Sequence, residues 1–174
     1  MRRFFLRDNT IEIARDLLGK LLVVRDDHGC RVSGMIVETE AYLGTTDRAA
    51  HSFGGRRTAR NEVMYGGGGY AYVFFVYGMY YQANVVCGAV DVPHAILVRA
   101  IEPVEGIEIM RKRRGKIIEK NLTSGPGKLC IALGINRSHN GINLTGDKMW
   151  LEDYRLYDQP EIRGRKKNWN RLRR

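Results

Sequence analysis

Between Met35 and Tyr42 the chain reads MIVETEAY, a short apolar run that carries two carboxylates and ends on a tyrosine. If the run is a β-strand, side chains alternate between its faces, so Glu38, Glu40 and Tyr42 share one face, each about 7 Å from the next. Desolvating a carboxylate is costly, so acids set among Ile36, Val37, Ala41 and Leu43 need a partner, a task or water. Two readings remain open. Either the acids sit on an edge strand and face solvent, or two acids and an aromatic ring line one working surface of a sheet.

The flanking sequence places this strand. Asp8, Asn9 or Thr10 can cap a helix whose apolar face is Ile13, Ala14, Leu17 and Leu18, with Gly19 as its stop. Lys20 to Arg25 and Cys30 to Tyr42 read as strands joined through Asp26, Asp27, His28 and Gly29, which puts the carboxylate strand in an antiparallel sheet. The segment Gly44 to Arg60 is polar and irregular. Four glycines, Gly66 to Gly69, then precede the most apolar run, Tyr70 to Val86. Neither these glycines nor Ser124 to Lys128 has the spacing of a nucleotide-binding phosphate loop. His94 to Ile101 reads as a strand carrying Arg99, after which Pro103 opens a helix through Ile107 and Met110. Pro126 suits the first turn of another helix through Leu129, Ala132 and Leu133, with Ser124 or Gly125 at its cap.

At 174 residues the chain is expected to form one domain around one core, and no stretch approaches the roughly 18 apolar residues of a membrane span. MRRFFLRDNT has no apolar leader region, so the expected location is the cytoplasm or nucleoid, or a nucleus, and not outside the cell. Cys30, Cys87 and Cys130 are odd in number and widely spaced, which fits reduced, buried thiols rather than disulfides or a metal site.

A net charge of +10 points to a polyanionic partner. More than half of it lies in a tail, since the last fourteen residues hold seven basic side chains and one acid. The chain therefore divides into a body, residues 1–160, and a basic tail, residues 161–174. Such a tail is commonly a solvated end that adds affinity without defining a site. Arg111, Lys112, Arg113, Arg114 and Lys116 form a second basic cluster inside the body, the better candidate for gripping phosphates.

The run Tyr72 to Val86 is dense in aromatics and folds as a hairpin about Tyr77 and Gly78. Aromatic strands usually belong to a core, but a tyrosine at a tight turn lies on the surface. An exposed apolar wedge beside basic patches suits insertion between the base pairs of a duplex.

Five blocks in one order, VETEAYLG, HSFGGRRTARN, VYGMYYQAN, LVRAIEP and SGPGKLC, resemble the alkyladenine, or 3-methyladenine, DNA glycosylase family. The resemblance covers roughly residues 4 to 155. It implies a single mixed α/β (α+β) domain, with a curved antiparallel sheet flanked by helices and a protruding hairpin. It also implies a monofunctional hydrolase that flips alkylated or deaminated purines out of duplex DNA and cleaves their N-glycosidic bond, with damaged double-stranded DNA as partner, a monomeric state, and no metal or cofactor.

By the same resemblance, Glu40 is the general base that activates water and Arg99 helps hold that water, while Glu38 supports them. Tyr42, His51 and Phe74 enclose the flipped base, and Asn84 crowds a purine 2-amino group and so disfavours guanine. Tyr77 intercalates, flanked by Met79 and Tyr80. Arg56, Arg60, Arg114 and Lys128 are candidates for backbone phosphates. From the residues alone His51 could be structural and Asn84 could simply bond its own sheet. Phe74 departs from the family, in which tyrosine is common, so a hydroxyl is lost there. After about Tyr157 the chain departs again, ending in GRKKNWNRLRR.

Two other readings stay open at this level. One is a nucleic-acid binder without catalysis. The other is a nucleoside or glycoside hydrolase in which Glu38 and Glu40 act as acid and base on a small substrate.

Overall fold

The computed structural model describes residues 2–155 and 162–164. A first turn, α1 (Arg2–Phe5), buries Phe5, and α2 (Thr10–Asp16) begins where the Asn9 side chain accepts from the backbone N–H groups of Ile11 and Glu12. Six strands follow: β1 (Leu21–Arg25), β2 (Arg31–Tyr42), β3 (Ala71–Val76), β4 (Tyr80–Cys87), β5 (His94–Glu105) and β6 (Met149–Glu152). They form one curled sheet in the order β3-β4-β5-β2-β1-β6, with every neighbouring pair antiparallel. Two helices, α3 (Ile107–Arg114) and α4 (Pro126–Leu133), complete the mixed α/β body.

The main core lies on one face of the sheet, where Val32, Ile36, Val73, Ala83, Val85, Ile96 and Val98 meet α2, α4 and Met110 of α3. The other face carries a smaller cluster of Met64, Tyr65, Tyr72, Val86 and Ala95. Alternation assigns each strand residue to a face, but β2 breaks it once and β5 twice, one of those breaks being at Val104 beside the Gly34–Pro103 pair. Val37 is an extra residue on β2 between Ile36 and Glu38, and Arg99 is an extra residue on β5 between Val98 and Ala100. Ile36 points into the core, yet beyond the bulge it is Thr39 and Ala41 that do so, with the Thr39 hydroxyl donating to Ala14 O at 2.9 Å. Glu38, Glu40 and Tyr42 are thereby turned onto the opposite face.

Other expectations needed correction. Pro103 does not open a helix. It lies within β5 opposite Gly34, at a register shift where a missing ladder donor is tolerated, and α3 starts at Ile107 after Gly106 takes a left-handed φ of 69°. Cys30 is exposed on the β1–β2 turn, whereas Cys87 and Cys130 are buried, with burial raising each of those thiols to about 12. Strand β6 was not foreseen, being only four residues long. The glycine run is a packing device, since a Cβ on Gly68 would stand 2.5 Å from Phe5 O. The basic tail lies outside the described residues apart from positions 162–164, and Trp169 lies outside them entirely.

Candidate active site

Four residues in cross-strand register, Glu40, Leu97, Asn84 and Tyr72, run across β2, β5, β4 and β3. Residues in one row share a face, so this row is the floor of the site. Along β5, Arg99 follows Leu97 and, freed from the ladder by its bulge, reaches both acids. Its Nε donates to Glu38 Oε1 at 2.8 Å and its Nη1 to Glu40 Oε2 at 2.6 Å. Pairing with the two carboxylates outweighs burial, which on its own lowers the guanidinium pKa, and the net shift is upward. Glu40 is the more sheltered acid, with 24% of its side chain exposed against 56% for Glu38.

Tyr42 links the carboxylates to a cavity. Burial first, then the charge of Glu40 and a hydrogen bond to it, hold the Tyr42 hydroxyl protonated far above the ordinary tyrosine range. The same residue lines a cavity of about 160 Å³ together with Ala50, His51, Tyr72, Phe74 and Asn84. Three rings form its wall: His51 meets Phe74 edge-on at 4.5 Å between centroids, and Phe74 lies 5.0 Å from Tyr72. The Tyr72 hydroxyl is 2.8 Å from His51 Nδ1, and burial, with smaller contributions from Arg60 and Arg56, lowers the His51 pKa and favours its neutral form. Burial raises the Tyr72 hydroxyl to about 12. Asn84 is 4% exposed and donates from Nδ2 to Tyr72 O at 3.1 Å, which fixes its amide at the cavity wall.

At the mouth stands Tyr77, 84% exposed, in the three-residue connection Tyr77 to Met79 between β3 and β4, where Met79 N–H donates to Val76 O at 3.1 Å. The two central residues of that turn have positive φ, 53° for Tyr77 and 67° for Gly78, as a mirror-image turn requires. Met79, 65% exposed, follows it. An aromatic cavity, an arginine-held carboxylate beside it and a solvent-facing ring at its rim make an arrangement suited to a flat heteroaromatic guest attached to a sugar.

The profile of the methylpurine-DNA glycosylase family matches residues 3–168. The chain belongs to the methylpurine-DNA glycosylase family. It is thus a DNA glycosylase, a hydrolase of the N-glycosidic bond. Among its relatives, a Clostridium acetobutylicum protein is 50% identical over 161 residues, covering 88% of this chain and 78% of the relative. A Desulfitobacterium hafniense protein is 52% identical over 87% of this chain and 78% of the relative, and one from Bacillus cereus is 50% identical over 85% and 75%. All three are provisionally named 3-methyladenine DNA glycosylases.

In this glycosylase the structure gathers Tyr42, His51, Phe74, Asn84 and Tyr77 around one cavity and sets Glu40 and Arg99 beside it. The basic candidates are dispersed. Arg56 is exposed on the loop before the cavity, and Arg60 donates to Phe75 O at 3.0 Å. Lys128 lies 3.4 Å from Asn121 Oδ1 and Ser124 Oγ at the start of α4. Arg114 is turned inward, donating to Leu122 O at 3.1 Å and Asn121 O at 3.4 Å, while Arg113 pairs with Asp26 at 3.1 Å and Arg111 with Glu108 and Glu119. Much of that cluster is therefore engaged in holding α3 against its neighbours.

Sequence reasoning passed over Tyr72 and Asn61. Tyr72 was legible as the same-face neighbour of Phe74 two residues on. Asn61, 1% exposed, accepts from Thr58 N and Oγ1 and donates to His51 O and Arg56 O, so it pins the loop that presents His51. Its role depends on contacts that no spacing announces. Among the described residues no cluster of three or more His, Cys, Asp or Glu could hold a metal, and no helix is long and apolar enough to cross a membrane.

Proposed function

We propose that this enzyme removes alkylated or deaminated purines from duplex DNA after swinging the damaged nucleotide into the cavity lined by Tyr42, His51, Phe74 and Asn84. The observation that carries the reading is the carboxylate of Glu40, clamped by Arg99, joined through Tyr42 to an aromatic cavity of base-like character. Glu40 orients a water molecule and takes its proton as the oxygen bonds to C1′ of the deoxyribose. The C1′–N bond breaks, and its electron pair leaves with the purine. An ionised carboxylate beside C1′ also stabilises the oxocarbenium-like transition state. These steps need only side chains of this chain and water.

Tyr77, with Met79 beside it, fills the space vacated by the flipped nucleotide. Unstacking costs a few kcal/mol and stacking returns about 1 to 3 kcal/mol per base, so wedge and cavity together can hold the extruded state. Asn84, fixed on Tyr72 O, leaves no room for a purine 2-amino group and so disfavours guanine. Arg56, Arg114 and Lys128 face the backbone phosphates, Arg114 after releasing its carbonyls, while Arg60, the fourth candidate, is held back on Phe75 O against the Phe74 ring. A small-substrate hydrolase with Glu38 as acid is disfavoured, because a single guanidinium binds both carboxylates and gives them no separate environments that would set one apart as acid and the other as base.

The test is release of free base from lesion-bearing duplexes by wild type and Glu40→Gln. Loss of release in the variant, with binding to an abasic-site duplex retained, supports the assignment. Equal release by both proteins removes Glu40 from the mechanism.

A further inference from the structure

Arg60 stands against the aromatic wall rather than simply above the loop. Its guanidinium carbon is 5.3 Å from the centroid of the Phe74 ring, and Nη2 is anchored on Phe75 O of the same strand at 3.0 Å. Its charge reaches two more wall residues, acting to lower the pKa of both the His51 imidazole and the Tyr72 hydroxyl. Among the described residues no carboxylate lies within ion-pair distance of Arg60, whereas Arg99 on the far side of the cavity is matched by Glu38 and Glu40. The aromatic side of the cavity thus carries a positive charge that no described carboxylate pairs, and His51, whose pKa burial lowers, brings no negative charge to offset it.

We infer that Arg60 is a specificity-determining residue that biases the cavity toward neutral purine lesions over cationic alkylated ones. The inference rests on the proposed function and names the substrate class that the site would favour. Aromatic faces attract cations through their quadrupole, but a guanidinium already on Phe74 draws on that same electron density. A purine that arrives positively charged meets a like charge beside its binding wall. A neutral purine meets none, and its chemistry gains. When C1′–N breaks, the bonding pair goes to the base, so a neutral lesion leaves with developing negative charge, while a cationic lesion leaves neutral. A guanidinium held on the Phe74 ring that forms the wall stabilises only the first of these departures, with little reorganisation, because it is anchored on Phe75 O.

A phosphate contact would behave differently, weakening binding of every duplex alike. The experiment is therefore a ratio. Single-turnover release at saturating enzyme is measured for hypoxanthine, a neutral base, and for 7-methylguanine, a cationic one, in otherwise identical duplexes. Wild type, Arg60→Gln and Arg60→Lys are compared. In Arg60→Gln the hypoxanthine to methylguanine ratio is expected to fall about tenfold, equivalent to ~1.4 kcal/mol, and Arg60→Lys should recover most of it. An unchanged or increased ratio in Arg60→Gln overturns the inference, as does a lysine variant that loses as much as glutamine. Wild type releasing only methylguanine also overturns it. Wild type releasing neither base removes the proposed function and this inference with it, whereas an active wild type with an insensitive ratio removes the inference alone.

Discussion

Arg99 Nη1 lies 2.6 Å from Glu40 Oε2, and the same guanidinium holds Glu38 through Nε at 2.8 Å. One cation thus aligns two acids on a strand where like charges would otherwise repel. Replacing Arg99 with Gln removes the charge and the two-nitrogen clamp while keeping a polar side chain with an amide donor. Single-turnover base release is expected to fall about 100-fold or more, by analogy with loss of one preorganised charge partner, and Arg99→Lys should retain an intermediate rate. Unchanged rates in both variants would separate Arg99 from the chemistry.

Tyr77 exposes most of its ring, so its removal should cost little folding stability. Tyr77→Ala is expected to leave the thermal midpoint within about 2 °C, because surface substitutions usually fall within ±0.5 kcal/mol and alanine keeps the Cβ that already tolerates the positive φ. Duplex binding, measured by fluorescence anisotropy with a lesion-bearing oligonucleotide, should weaken by about tenfold, as loss of one stacking contact implies. A stable variant with undiminished affinity would exclude the wedge.

Asn61 makes four hydrogen bonds in a buried setting. Asn61→Ala leaves the carbonyls of His51 and Arg56 without this donor and the Thr58 amide without this acceptor. A loss of about 2 kcal/mol is expected, readable as a lowered denaturation midpoint at constant m-value. Base release should fall as well, since His51 would lose its fixed loop.

The pH dependence of stability has a predictable sign. Burial lowers the pKa of His51, His94 and His139 below the ordinary value. Each is therefore readier to bind a proton when the chain is unfolded. Their contribution to stability is complete above the unfolded value, about 6.5, and is lost as pH falls through the lowered folded values. Thermal melts from pH 8 to pH 5 should show a falling midpoint below about pH 6.5, flattened in His139→Gln. A midpoint that rises on acidification would contradict this account.

Much of this site could be read from residue order because strands alternate. Glu38, Glu40 and Tyr42 share a face as expected, the Tyr77–Gly78 turn follows from the flanking aromatic strands, and Pro126 opens α4 as its fixed φ suggests. The missing parts depend on partners distant in the chain. Pro103 looks like a helix start by local preference, yet the pairing of β5 with β2 overrides it. The bulges at Val37 and Arg99 compensate one another across two strands, so neither has a local signal. The inward turn of Arg114 depends on carbonyls at Asn121 and Leu122, whose position only the packing of α3 on α4 determines.

The break at Val37 bears on how the chain finds its sheet. Zipped evenly from Arg31 onward, β2 would aim Glu38 and Glu40 beneath α2, stranding two charges in hydrocarbon at a cost of several kcal/mol. That misaligned ladder is thereby penalised relative to the native one. The pair of acids proposed to serve the reaction thus also selects the sheet's register, favouring a hydrogen-bond ladder that skips a rung where Arg99 can meet them.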